Sequence, residues 1–271
     1  MENRAKLGSV KVGGVETRYA EFGTGKKDLV ILPGISLRNV LDSAESIAAA
    51  YSAFAGDHTV RVFDRRNDMP EGYTVEEMAE DTAAAVRAAG IKNACFFGTS
   101  QGGMLVQYIA ARYPELVKKA VLGSTAARIT DEVGKLMKKW TELAARGELH
   151  ELCEDFADRL YSREFLAKYR GLIIEFGELA SPDEVSRFRI MAEACRGFDV
   201  YGELGRITCP VLVIGSDDDK VLGGAASAEI AEKLGCGLYM YAGYGHAVYD
   251  EAPDYKQRLL DFFEADISAD R

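Results

Sequence analysis

The sequence predicts an α/β fold: a mostly parallel sheet covered by helices on both faces and interrupted by a helical insertion. Three observations carry this. Short apolar runs alternate with helical patterns over the first 127 residues; no strand-like run is evident from about Arg128 to Arg206; the alternation then resumes to the C-terminal end. The chain has 271 residues, 48% of them hydrophobic and 28% charged, which suits one large α/β domain with an insertion.

In chain order, "SVKVGG" and "VETRYAEFG" flank Gly13-Gly14, the pattern of a hairpin. "DLVILPG" is a compact strand closed by Pro33-Gly34. Residues 43–55 place Ile47, Tyr51 and Phe54 at helical spacing, and "HTVRVFD" is the next strand. "TVEEMAEDTAAAVRAAG" begins with Thr74 followed three residues later by Glu77, a capping-box pattern, and ends at Gly90. "ACFFG", a helix over about 102–113, and "KKAVLGS" continue the rhythm. In the strandless stretch, Leu136, Met137, Trp140, Leu143 and Ala144 form one helical stripe, and Val185, Phe188 and either Ala192 or Cys195 another. "CPVLVIGSDDD", "SAEIAEKLG", "GLYMYAG" and "DYKQRLLDFFEADI" restore strand, helix, strand and helix. The expected organisation is therefore a core of residues 1–127 and 207–271 with a helical cap over 128–206.

Several function classes are disfavoured. A net charge of −10 leaves no basic patch for nucleic acid. No apolar run approaches a membrane span, and "MENRAKLGSVKV" has no signal-peptide core, so a cytoplasmic protein without a membrane role is expected. Cys95, Cys153, Cys195, Cys209 and Cys236 are scattered, odd in number and form no CxxC, which points to small apolar residues rather than disulfides or a zinc site. "GTGKKD" lacks the spacing of a phosphate-binding loop; no cofactor or metal is expected.

The chemistry concentrates at Gly98-Thr99-Ser100-Gln101-Gly102, a G-x-S-x-G pattern between an expected strand and an expected helix. At so sharp a turn the serine is forced into a strained conformation with its hydroxyl exposed above the strand ends. The following helix turns its free N–H groups toward the same place. The corner reads as a nucleophile elbow rather than as an ordinary N-cap serine.

With this motif the chain resembles the α/β-hydrolase superfamily, in particular its members with a helical lid, over nearly its whole length. "LVILPG" is similar to the family's strand and oxyanion turn, "VRVFDRR" to the next strand and its acidic end, "FFGTSQGGM" to the elbow, "PVLVIGSDDDKV" to the acid-bearing strand end, and "YGHAVYDEAPDY" to the histidine with its trailing Glu-x-Pro. The sequence departs from the family at Pro33, where histidine is usual, and after Asp64, where "RRNDMPEGYT" replaces a glycine-rich turn.

A serine nucleophile needs a base. Of three histidines, His58 precedes the elbow, contrary to the family order of serine, acid, histidine; His150 lies in the insertion without a local signature; His246 follows the last expected strand and carries the family-like flank. For the acid, the resemblance implies the third residue after Gly215, which is Asp218, with Asp219 next; three adjacent carboxylates repel, so one turns inward and the others face water. The expected oxyanion donors are the N–H groups of Gln101 and, by resemblance, Ile35. Arg65 and Arg66 read as a salt-bridged loop, and Arg187, Arg189 and Arg196 as solvated helix charges. Met137, Trp140, Phe156, Tyr161, Phe165 and Met191 are candidates for the inner face of the lid.

The resemblance implies a serine hydrolase acting on a small ester through an acyl-enzyme at Ser100. Thioester or C–C bond hydrolysis remains a variant on the same fold, and a hydrolase-like ligand receptor with slow turnover remains the alternative of another class. Acyl chain length and oligomeric state are not encoded in any pattern of this sequence.

Overall fold

The computed structural model describes residues 4–266. The first three residues and 267–271, the outer ends of the expected core segments and the last residue of the expected final helix, lie outside the described residues. Eight strands, β1 (Lys6–Val12), β2 (Val15–Phe22), β3 (Lys27–Leu32), β4 (His58–Phe63), β5 (Ala94–Thr99), β6 (Val117–Gly123), β7 (Val211–Ser216) and β8 (Gly237–Tyr241), form one sheet in the order β1-β2-β4-β3-β5-β6-β7-β8. β1 and β2 form an antiparallel hairpin whose two-residue turn takes positive φ at Gly13 and Gly14. β2 meets β4 antiparallel, and every other pairing is parallel.

Residue alternation along the central strands separates two cores. Val30 and Leu32 of β3, Phe96 of β5, and Ala120 and Leu122 of β6 join one cluster. Leu29 and Ile31, Cys95 and Phe97, and Val121 join the other. Successive side chains of a strand point to opposite faces, so a strand covered on both sides reads as an unbroken apolar run. Helices α2 (Val75–Ala88), α3 (Gln101–Arg112) and α8 (Gly224–Leu234) cover the first face. The second is covered by α1 (Ala44–Ala50), a 3-10 turn over Ser52–Phe54, the short α9 (Val248–Glu251) and α10 (Tyr255–Glu264). Thr74 and Glu77 make the expected capping box at α2.

Between β6 and β7 the chain forms four consecutive helices: α4 (Asp131–Arg146), α5 (Leu149–Leu160), α6 (Arg163–Glu178) and α7 (Pro182–Cys195). Thr130, Ser162 and Ser181 cap α4, α6 and α7 through their side-chain oxygens, and α4 stops at Gly147 in the left-handed conformation. The segment leaves and rejoins the sheet at one place. Ile129 N–H donates to Phe198 O (3.1 Å), and Val200 N–H to Ala127 O (2.8 Å). Inside it, Trp140 is fully buried, donates its indole N–H to Asp155 Oδ2 (2.7 Å) and meets the Phe156 ring edge-on at 5.0 Å.

After β3 the chain crosses outward to β4, then returns to the other side of β3 as β5. Such a reversal opens a crevice beyond the C-terminal strand ends, where open α/β sheets bind ligands. The segment after Leu32 and the corner after Thr99 both lie at that crevice, since Leu32 pairs with Gly98. Among the described residues, no helix is long and apolar enough to cross a membrane.

Candidate active site

Ser100 follows β5 directly and takes φ 52° and ψ −124°, a conformation that side chains other than glycine rarely adopt. The turn is clamped by Ser100 N–H to Gly123 O (2.9 Å) and by Thr125 Oγ1 to Ser100 O (2.7 Å). Its glycines are required by close approach. A Cβ on Gly102 would lie 1.8 Å from Leu32 O, and one on Gly98 2.4 Å from Gly102 O. Gln101 is the first residue of α3, so its N–H has no intrahelical acceptor.

His246 is buried and its Nδ1 lies 2.8 Å from Asp219 Oδ2. The other oxygen of Asp219 accepts the N–H groups of Val221 (2.8 Å) and Leu222 (2.9 Å). Burial works to raise this carboxyl, but His246 and the two backbone donors outweigh it and hold the group below its ordinary value. Asp218, expected as the acid, is instead half-exposed beside Lys220 Nζ at 3.3 Å, and Asp217 accepts Gly243 N–H (2.8 Å). The register therefore shifts by one residue. The physical reason is the turn after β7: Asp219 caps the N–H groups two and three residues on, which fixes its side chain inward. The apolar, buried Val221 and Leu222 after it were the available signal.

The other histidines lie elsewhere. His58 is buried at the start of β4, 3.4 Å from Glu264, and His150 is exposed on α5 beside Glu178 (2.5 Å). The His246 loop is fastened on two sides, by Ser216 Oγ donating to Gly245 O (2.7 Å) and by Ala247 N–H donating to Leu160 O at the end of α5 (2.7 Å). Glu251 accepts Ser162 N–H (3.0 Å) and the Ser162 hydroxyl. The insertion thus contacts the histidine loop directly.

Ser100 and His246 line one pocket, of about 400 Å³ including the space at its open mouth, together with Ile35, Met137, Trp140 and Phe156. Met137, Trp140 and Phe156 were among the candidates for the inner face of the insertion. Tyr161 lines a neighbouring cleft instead, and Phe165 stacks on Tyr161 at 4.9 Å. Met191 turns its carbonyl to the elbow, where it accepts Gln101 Nε2 (2.7 Å).

Two arginines depart from expectation. Arg66 makes the expected loop bridge, to Asp68, but Arg65 is buried, with Nη2 3.1 Å from Gln101 Oε1 and Nη1 3.5 Å from Gly34 O. Burial pulls its guanidinium down to about 10. Arg187 is not a solvated helix charge: from α7 it reaches into the core to Asp64 Oδ2 (3.0 Å) and Arg65 O (3.3 Å). Arg189 and Arg196 pair with Glu71 and Glu193. The contacts of Arg65, Arg187 and Arg189, each to a residue more than thirty positions away, left no local trace in the sequence. Among the described residues, no group of three His, Cys, Asp or Glu side chains could hold a metal ion.

A mostly parallel sheet with a strained serine corner after β5 and a buried His–Asp pair beyond β7 and β8 defines a hydrolase-type α/β protein. Residues 34–253 match the alpha/beta hydrolase fold family, and the chain belongs to that family. It is similar to RutD of Pantoea ananatis, whose name carries a proposed carbamate hydrolase activity: 23% identical over 211 residues, 75% of each chain. It is also similar to 3-oxoadipate enol-lactonase 2 of Acinetobacter baylyi, at 25% over 213 residues, 76% of this chain and 77% of that one. Among solved structures, MGS-M2, an alpha/beta hydrolase enzyme from a Medee basin deep-sea metagenome library, superposes with a TM-score of 0.87 at 20% identity, covering 97% of this chain and all of that one.

Proposed function

We propose that this protein is a serine hydrolase that cleaves a small carboxylic ester through an acyl-enzyme at Ser100. The observation that carries the reading is the strained Ser100 corner sharing one apolar pocket with a histidine held by a buried carboxylate. In this reading His246 takes the Ser100 proton as Oγ bonds to the acyl carbon. Asp219 keeps the proton on Nδ1, so that Nε2 is free to accept, and stabilises the imidazolium that forms. The N–H groups of Gln101 and Ile35 receive the developing oxyanion. The imidazolium returns the proton to the departing alcohol; water, deprotonated by the same imidazole, then releases the acid and restores Ser100. The mostly apolar pocket wall supplied by α4 and α5 excludes water and favours a small uncharged acyl group. A relative named an enol-lactonase and one named for carbamate hydrolysis support attack at an acyl carbon bonded to oxygen. We place the enzyme in the cytoplasm, in keeping with five scattered cysteines that form no CxxC pattern.

One observation favours a second reading, a ligand receptor with slow turnover. Tyr169, Leu172 and Phe176 on α6, with Leu179 just after it, form an exposed apolar stripe, the kind of surface that takes a partner. A fluorophosphonate probe and a short p-nitrophenyl ester panel separate the two. The hydrolase reading requires labelling of Ser100, its loss in Ser100→Ala, and multiple turnovers. Labelling without turnover of any ester selects the receptor reading, and labelling at another serine overturns both.

A further inference from the structure

Beyond Gly34 and Ile35 the catalytic pocket borders a larger cleft, of about 1270 Å³ including its open mouth, and the two share Phe156, Leu160 and Tyr249 as walls. The cleft is lined mostly by apolar groups but contains one carboxylate, Asp250. Asp250 has exposed surface, yet burial is the main influence on its carboxyl and pushes it up to about 6. Both follow if the exposed surface faces the cleft while protein surrounds the rest. No hydrogen bond or ion pair reaches this carboxylate among the described residues. Its surroundings act on it only through burial and through the charges of Lys256 and Glu251.

Neither of those charges pairs with the Asp250 carboxylate. Lys256 Nζ donates to Tyr249 O and sits 5.7 Å from the Tyr51 ring, and Glu251 holds Ser162. Three tyrosines that line the cleft, Tyr51, Tyr161 and Tyr249, feel the Asp250 charge, and none of their hydroxyls has a hydrogen-bond partner among the described residues. The cation that lines the cleft, Arg38, is paired with Asp42 (3.2 Å) and lies over the Phe176 ring at 4.5 Å. An unpaired carboxylate set among tyrosine rings and free hydroxyls is the chemistry that binds an organic ammonium, by charge and by cation–π attraction.

We propose that this cleft is a second subsite continuous with the catalytic pocket, and that Asp250 with Tyr51, Tyr161 and Tyr249 receives the ammonium end of an amine-bearing substrate. The proposal rests on the hydrolase reading for its role in turnover, but the binding itself does not need turnover. The test therefore uses Ser100→Ala protein and calorimetric titration with hexylammonium, hexanol and hexanoate at pH 8. Hexylammonium binds more tightly than hexanol by on the order of tenfold, as one charge-assisted contact provides, and hexanoate binds most weakly. Asp250→Asn on the same background brings the ammonium-to-alcohol ratio close to one. Lowering the pH to 5, below the Asp250 titration, shrinks the ratio in protein that keeps Asp250, a measurement that needs no variant at that position, and leaves it unmoved in Asp250→Asn. Equal binding of the three probes, tighter hexanoate, a preference that survives Asp250→Asn, or no binding at all overturns the proposal. Failure of the hydrolase reading is registered separately, in protein that keeps Ser100, as absence of fluorophosphonate labelling or of ester turnover.

Discussion

Replacing Asp219 by asparagine tests the register of the acid and the logic of the His246 loop together. The carboxylate has two separate duties: Oδ1 accepts Val221 and Leu222 N–H, and Oδ2 faces His246 Nδ1. In the amide only one end can accept. The two backbone donors claim the oxygen, because turning the amide around would leave two buried N–H groups unpaired at about 1–3 kcal/mol each. The NH2 end then faces Nδ1, and His246 meets it as an acceptor, which moves the ring proton to Nε2, the side that has to accept the proton of Ser100. That wrong tautomer costs on the order of 10⁴ in kcat, equivalent to about 5.4 kcal/mol. Asp218→Asn removes only an exposed pairing with Lys220 and changes kcat by less than about threefold. The assay is initial-rate hydrolysis of p-nitrophenyl acetate by both variants, with thermal melts to show that each is folded. A crippled Asp218→Asn beside a near-normal Asp219→Asn would refute both the register and the tautomer argument.

Two further outcomes concern stability. Arg187→Ala strips the buried Asp64 carboxylate of its guanidinium partner and costs about 3 kcal/mol in urea unfolding, while Arg187→Met combined with Asp64→Asn recovers most of the loss; equal stability of single and double variants would show that the pair is not coupled. Asp250 is held at about 6 against an ordinary 3.8, so the native state keeps its proton longer than the unfolded chain does, and the charge erodes stability as pH rises from about 4 to 6, with the full penalty present above that window. Asp250→Asn is accordingly more thermostable than the unaltered protein at pH 8 and indistinguishable from it below pH 4; a gain independent of pH would rule out the charge as its cause.

What the sequence revealed divides along a physical line. Strand alternation, the capping box at Thr74 and the Ser100 corner are determined within a few residues, and each is found where the local pattern placed it. His246 could be singled out because three histidines and a chain order left little choice. Choosing among Asp217, Asp218 and Asp219 was a different problem. A fixed count after Gly215 carries no information on which carboxylate turns inward; the N–H groups of Val221 and Leu222 decide it. Arg187 was misread for a related reason. Its partner Asp64 lies 123 positions away, so a buried ion pair and a solvated helix charge look alike until the helix is docked. Asp250 was passed over because its significance lies in having no partner, which only the folded cleft reveals.

The bridge from Asp64 and Arg65 to Arg187, Gln101 and Met191 bears on how this family member could be re-engineered or diversify. A helical insertion between two sheet strands invites exchange as a cassette, with residues 131–195 traded for a relative's helices to import a new specificity. Here the cassette is wired to its socket. A foreign insertion lacking an arginine at the Arg187 position, or whose backbone did not bring a carbonyl to Gln101 Nε2 as Met191 does, would strip a buried carboxylate of its cation or an amide of its acceptor, beside the corner that holds Ser100. Transplants should therefore carry residues 64, 65 and 101 along with the helices, and lineages that change these helices are expected to change those three positions in concert.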